Sequence, residues 1–288
     1  MDYIDLGVMI YNFKEFSTNA IFNIGNETNL KSFSKAKQTE LYTFIWANFE
    51  AIEIIIDSIP FTIEPHSILA LTPIQYLQYI KGGDAIIYQF NREFYCIKDH
   101  DHEVSCVGIL FFGNTNIPVI HLDKKEQQKF KTLHEVFIDE LETEDNIQAE
   151  MLRMLMGRFI IKSTRLLKAK EGIVETPKST KVDLLREFNF LVEQHFKKEH
   201  SVSFYADMLF RSPKTLSNNF AKLNRSPLQI IHERVVLEAK RLLTYSDKTA
   251  KEIAYEIGFD DASHLSRLFK KYTSQSPSDY KKGLKTIG

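Results

Sequence analysis

The sequence predicts an α+β chain of more than one domain: a β-rich N-terminal region, a helical middle segment and an all-helical C-terminal domain. Three observations predict it. Short runs rich in Ile, Phe, Tyr and Val, separated by turn residues, fill residues 1–122. The apolar period changes from two to three or four after residue 123. Beyond residue 182, Ser-Pro pairs stand before amphipathic runs, as they do at helix starts.

The strand-like runs are Tyr42–Trp46, Ile52–Ile56, Ser67–Leu71, Ala85–Phe90 and Val104–Phe112, punctuated by Pro60, Pro65, Pro73, Gly82-Gly83 and Gly113-Asn114. Strands this short and regularly spaced predict a sandwich or barrel. Phe44, Trp46, Tyr88, Phe90, Phe94 and Tyr95 are expected to fill its interior, with an apolar pocket as the alternative. His100-Asp101-His102-Glu103 reads as a hairpin turn, and Cys96 and Cys106 as reduced thiols facing each other across it.

Residues 123–170 hold two amphipathic patterns with a break near Glu142–Asn146. Phe130, Leu133, Phe137 and Leu141 form the first stripe; Ile147, Met151, Leu155 and Phe159 form the second. A stripe wider than the β-region can cover would bury itself against a second copy, so Phe130, Leu133, Phe137, Leu141, Met151, Leu155 and Phe159 are the dimerisation candidates, with packing of both helices on their own barrel as the alternative. Residues 171–181, with Gly172, Pro177, Ser179 and Thr180, read as a linker.

The C-terminal part, residues 182–288, carries two helix-turn-helix patterns, Ser203–Phe220 and Lys251–Phe269. The run Pro227–Tyr245 makes one long helix between them. Ser212-Pro213, Ser226-Pro227 and Ser276-Pro277 predict helix starts with serine as N-cap, and Thr249-Ala-Lys-Glu252 has capping-box spacing. Ala206, Leu209, Leu216 and Phe220 face inward in the first unit; Ile253, Ala254, Ile257, Phe259, Leu265 and Phe269 do so in the second. Gly258 stands at a turn that favours positive φ. The outward faces are polar. Lys214, Ser217 and Asn218, then Ser263, His264 and Arg267, have the chemistry of base contacts: asparagine for adenine, arginine for guanine. Thr215, Lys222, Lys270 and Lys271 suit phosphates, which position without reading sequence.

Charge agrees with this division. The chain has a net charge of -1, but residues 178–288 carry 20 Lys and Arg against 13 Asp and Glu, leaving +7 there and -8 elsewhere. Two cysteines in 288 residues exclude a disulfide framework. With no signal-peptide pattern and no long apolar run, the expected compartment is the cytoplasm. P-loop, nucleophile-elbow and dinucleotide fingerprints are absent, so neither an enzyme nor a cofactor is expected.

Residues 182–285 resemble the DNA-binding domain of the AraC/XylS family of transcription regulators. Ile253-Ala254, Gly258-Phe259, Arg267, Phe269-Lys270, Pro277 and Tyr280 stand at that family's spacing, and Glu238-Ala-Lys-Arg-Leu-Leu243 matches the end of its connecting helix. The resemblance implies two helix-turn-helix units held about one DNA turn apart. It assigns base contacts to Lys214, Ser217, Asn218, Ser263, His264 and Arg267. The sequence departs at Leu265, where an aromatic is usual, at Val235, often arginine, and at Asn224 and Ser274, often glycine; the first two are expected to be packing variants.

Residues 1–122 resemble, more weakly, the family's cupin-like barrel, which binds a small effector or dimerises. The resemblance implies double-stranded DNA, a second copy and RNA polymerase as partners, and activation as the outcome. The alternatives are an orphan regulator without effector, and a metal-dependent cupin enzyme whose ligands would be His100 and His102 with His66 and His121.

Overall fold

The computed structural model describes residues 11–95, 110–111, 117–171, 180–221 and 225–285. The chain divides into two compact units, Met1–Glu175 and Thr176–Gly288.

The first unit contains β1 (Tyr11–Glu15), β2 (Ala20–Asn26), α1 (Glu27–Lys31), β3 (Lys37–Gln38), β4 (Tyr42–Ala47), β5 (Ile52–Ile56), β6 (Ile59–Ile63), β7 (Ser67–Leu71), β8 (Tyr76–Lys81), β9 (Ala85–Phe90), β10 (Val119–His121), α2 (Lys124–Leu141) and α3 (Gln148–Glu171). The runs at 42–46, 52–56, 67–71 and 85–90 are strands. Leu110 and Phe111 are helical, not part of the strand expected over Val104–Phe112, whose other residues lie outside the described ones. So do His100–Glu103, Cys96 and Cys106.

The strands form two separate antiparallel sheets, ordered β1-β2-β9-β4-β7-β10 and β3-β8-β5-β6, so among the described residues the sheets do not close into the expected barrel. The edges show why. β3 is two residues long, and β6 carries Pro60, which has no N–H to offer a further strand. A two-residue loop with both φ values positive, Asp57 at 49° and Ser58 at 69°, joins β5 to β6 with the twist that hairpins need.

The larger sheet is buried on both faces. Ile45, Ala47, Leu69, Leu71, Ala85 and Ile87 point toward Ile52, Ile54, Ile56 and Leu77 of the smaller sheet. Their neighbours Phe44, Trp46, Ile68, Ala70, Tyr88 and Phe90 point the other way, into a core shared with α2 and α3. The aromatic residues expected inside the β-fold therefore lie on its outer face, under the helices. Phe44 and Tyr88 meet Phe159 at 4.9 and 4.8 Å between ring centroids, and Trp46 meets Phe130 at 6.1 Å.

That packing settles where four dimerisation candidates lie. Phe130, Leu133, Phe137 and Phe159 are buried within their own unit. Leu141 and Leu155 pack partly against the same core, while Met151 is exposed. The buried stripe of α3 runs through Leu152, Met156, Phe159, Ile160 and Leu167; of the expected Ile147-Met151-Leu155-Phe159 line it keeps Phe159, while Met151 and Leu155 stand one residue before its Leu152 and Met156. Apolar residues crowd α3 between Met151 and Ile161, so several stripes fit the same spacing.

The second unit is helical: α4 (Thr180–His195), α5 (Val202–Met208), α6 (Pro213–Ala221), α7 (Pro227–Tyr245), α8 (Ala250–Glu256), α9 (Ala262–Thr273) and α10 (Pro277–Lys285). The proline of each Ser-Pro pair opens a helix. Ser212 and Ser276 accept the N–H groups of Thr215 and Asp279, whereas Ser226 makes no side-chain cap. The Thr249–Glu252 capping box is present.

Helix α7, 19 residues and about 28 Å long at the usual rise, touches α4, α6, α8, α9 and α10. One core joins Phe188, Leu216, Phe220, Ile231, Val235, Ala239, Ile253, Leu265 and Phe269. Leu265 and Val235 are buried within it, as packing variants would be.

Candidate nucleic-acid interface

The two helix-turn-helix units are built alike, turn by turn. In the first, Arg211 N donates to Ala206 O at 2.9 Å and Phe210 N to Asp207 O at 3.0 Å. In the second, Phe259 N donates to Ala254 O at 2.9 Å and Gly258 N to Tyr255 O at 3.1 Å. Both turns thus close the preceding helix with a left-handed residue, Phe210 at φ 52° and Gly258 at φ 86°. At Gly258 a Cβ would stand 2.2 Å from Lys197 O, so only glycine fits. Phe210 is 91% exposed, an aromatic side chain standing free where the other unit has none.

The second helix of each unit starts at a capping residue, Ser212 for α6 and Asp261 for α9. Aligned on those caps, Leu216 corresponds to Leu265 and Phe220 to Phe269, all buried. Lys214, Thr215 and Asn218 then correspond to Ser263, His264 and Arg267. All six are exposed, as are Ser217, Lys270 and Lys271. The base-contact candidates therefore share the outward face of α6 and α9, four buried apolar positions holding the opposite face down. Lys222 lies outside the described residues.

Two candidates are partly committed. The Ser263 hydroxyl donates to Asp261 Oδ2 at 2.7 Å, so it meets a ligand as an acceptor. The Thr215 hydroxyl shares a 2.8 Å hydrogen bond with Ser212. The backbone N–H of Ser263, then its hydroxyl, hold the Asp261 carboxyl below the usual range, so this cap stays ionised at the start of α9.

What fixes α6 and α9 relative to each other is the spine α7, and its interior is charged. Arg234 is 7% exposed; its Nε donates to Glu193 Oε1 at 2.7 Å and Oε2 at 2.9 Å, and its Nη1 to Glu238 Oε2 at 3.1 Å. Its guanidinium lies 3.8 Å from the ring centroid of Phe196. Lys197 and Arg241 stand 3.2 and 3.7 Å from Glu238. Burial works against the charge of Arg234, but Glu193 and Glu238 outweigh it and raise its pKa. Burial likewise opposes ionisation of Glu238, and Arg234, Lys197 and Arg241 overcome it, lowering its pKa.

At the far end of α7, Lys281 Nζ donates to Ser246 O and Lys248 O at 2.8 and 2.7 Å, a cation at a helix C-terminus. Sequence reading missed this seam, since polar residues on a helix are expected outside. The spacing of Arg234 and Glu238, one turn apart in an otherwise apolar helix, was the available signal.

One comparison falls within this unit. A family model described as a helix-turn-helix domain matches residues 205–283. The C-terminal unit therefore contains a helix-turn-helix domain. The transcriptional activator RhaS of Enterobacter sp. (strain 638) is 31% identical to the chain over 93 residues, 32% of this chain and 34% of that protein. RhaS of Salmonella schwarzengrund is 31% identical over 97 residues, 33% and 35%. The chain thus spans about a third of the length of the curated relatives it matches.

Among solved structures, the C-terminal domain of the response regulator yesN from Fusobacterium nucleatum is 25% identical, covering 33% of this chain and 93% of that one, with a TM-score of 0.32. ToxT from Vibrio cholerae is 16% identical, covering 95% and 97%, with a TM-score of 0.41.

Among the described residues, no three His, Cys, Asp or Glu side chains come together to hold a metal ion. His121 Nδ1 is 2.8 Å from Ser67 Oγ, and the His66 ring packs on Phe49. No described helix is long and apolar enough to cross a membrane.

Proposed function

We propose that the chain is a one-component transcription regulator that binds double-stranded DNA with α6 and α9 in two adjacent major-groove segments. The observation that carries this is the matched pair of exposed polar faces, brought to corresponding places by two turns of the same hydrogen-bonding pattern. Lys214, Ser217, Asn218, Ser263, His264 and Arg267 read bases; Thr215, Lys222, Lys270 and Lys271 hold phosphates. The chain is not an enzyme. The relatives named as transcriptional activators support activation; RNA polymerase as the further partner and the cytoplasm as the compartment belong to the same proposal.

The first unit is a cupin-like sensor and dimerisation domain in this proposal. Since Phe130, Leu133, Phe137 and Phe159 are interior, the second copy docks on what α2, α3 and the turn between them leave exposed, such as Val136, Ile147 and Met151. The four interior residues support that surface from beneath.

Fluorescence anisotropy of the full-length protein on a duplex chosen from a random pool tests the DNA reading. Arg267→Ala is expected to weaken the selected duplex by about 1–3 kcal/mol and to relax preference at one base pair. Lys270→Ala is expected to weaken all duplexes alike and reduce the salt slope by about 1. Equal loss on selected and random duplexes for Arg267→Ala would remove it from base readout. Salt-insensitive binding by the native chain would refute the whole proposal.

A further inference from the structure

The outer face of α3 holds a groove of about 820 Å³, lined by its successive turns together with Tyr95 and Lys129. Five of its ten lining residues are cationic, against the single carboxylate Glu150. Acids of the same unit answer three of the cations. Lys129 and Lys162 both pair with Glu126; Arg153 pairs with Glu15 at 2.7 Å and Glu150 at 2.8 Å. Arg158 and Arg165 are exposed and have no ion pair among the described residues. They lie on one helix face, two turns and about 10 Å apart, with Lys162 and Ile161 between them.

The groove floor is apolar and shaped. Met154 is 67% exposed, and Ile161 follows two turns on. Between them stands Gly157 in mid-helix, where glycine is disfavoured. It has a steric reason to be there: a Cβ would come within 3.3 Å of the Tyr95 hydroxyl, which reaches the groove at this point.

We infer that this groove binds a small organic anion, a carboxylate or phosphate ester with an apolar body, held by Arg158 and Arg165 while its body lies along Met154, Gly157 and Ile161. The volume suits a ligand of drug or metabolite size. Two alternatives fit less well. A second copy paired about a two-fold axis here would set Arg158 and Arg165 against their like. A duplex would meet the acidic part of the chain, at -8 outside residues 178–288, and a concave surface. Binding itself does not depend on the proposed regulatory role; only its effect on DNA affinity rests on that reading.

The test is titration of full-length protein with the fluorescent amphiphilic sulfonate 8-anilinonaphthalene-1-sulfonate, in the absence of DNA. Saturable binding at one site per chain is expected, weakened at least tenfold by the double substitution Arg158→Gln with Arg165→Gln. The pair Arg158→Lys with Arg165→Lys should retain most of it. The neutral analogue N-phenyl-1-naphthylamine should bind at least tenfold more weakly. Displacement by octanoate or by phenyl phosphate identifies which anion chemistry is preferred, and either supports the inference. Equal binding of the charged and neutral probes, indifference to the glutamine pair, displacement by a DNA duplex, or no binding overturns it. A failed DNA assay alongside anion binding would refute only the proposed function.

Discussion

Arg234 offers the sharpest test of the spine. Arg234→Ala removes three charge-assisted hydrogen bonds and a contact at 3.8 Å with the Phe196 ring. Breaking a buried pair from one side costs about 3–5 kcal/mol, because the partner stays behind without its counter-charge. The two partners fare differently. The Glu193 side chain is 25% exposed and can recover water. Glu238 is 6% exposed, but keeps Lys197 and Arg241. Both facts place the expected loss at the lower end, about 3 kcal/mol, on the order of 15 °C in the melting midpoint of a domain this size.

The chain carries its own control. Its single tryptophan, Trp46, is 2% exposed in the first unit, while the second unit is helical and has none. Far-ultraviolet circular dichroism should show an early helical transition in Arg234→Ala, with the Trp46 fluorescence transition unmoved. Arg234→Lys, keeping the charge without the fork or the stacking, should lose about half as much. A shift below about 4 °C, or an equal shift in both signals, would show that the seam does not hold the second unit together.

Other expectations follow from single residues. His134, within 2.7 Å of the Tyr88 hydroxyl, has its pKa lowered by burial from 6.5 to about 4. As pH falls from 6.5 to 4 the unfolded chain takes up a proton that the folded one refuses, so the first unit should lose about 3 kcal/mol on the Trp46 signal. His134→Gln should flatten that slope; an unchanged slope would place the proton elsewhere. Phe210→Gly should stabilise the second unit by about 1 kcal/mol in urea melts, since it relieves a bulky residue at φ 52°. At the corresponding turn Gly258→Ala should cost at least about 2 kcal/mol, its Cβ having Lys197 O at 2.2 Å. Equal effects of the two would deny that the turns differ in what they pack against. Acid should also weaken the second unit. The lowered Glu238 pKa stabilises it fully above 4.5, and this is lost as pH falls below that through the folded value. Glu238→Gln, followed by circular dichroism, should remove that part of the pH dependence; an unaltered dependence would exclude Glu238 as its source.

Local chemistry made the second unit readable. Three of its helices start at prolines, its two helix-turn-helix turns take a left-handed residue, and Leu216, Phe220, Leu265 and Phe269 recur at one spacing, so the exposed faces follow by elimination. The first unit resists the same treatment. β4 is buried on both faces, so Phe44 and Ile45 read equally as core, and nothing in the pattern says which faces the helices. In α3, apolar residues at consecutive positions admit several stripes, and the expected one is right at Phe159 and a residue off at Met151 and Leu155. The charged seam of α7 was hidden because its partner Glu193 lies 41 residues away from Arg234.

The shared helix α7 has a consequence for the operator. Under the proposed function, α6 and α9 both pack against the one helix α7, which sets the distance between the two reading heads. Inserting one base pair between the two half-sites advances the second by about 3.4 Å and turns it by roughly 34°. A core shared by α6, α7 and α9 opposes following that shift. Half-site spacing would then be as strict a requirement on a promoter as the bases themselves.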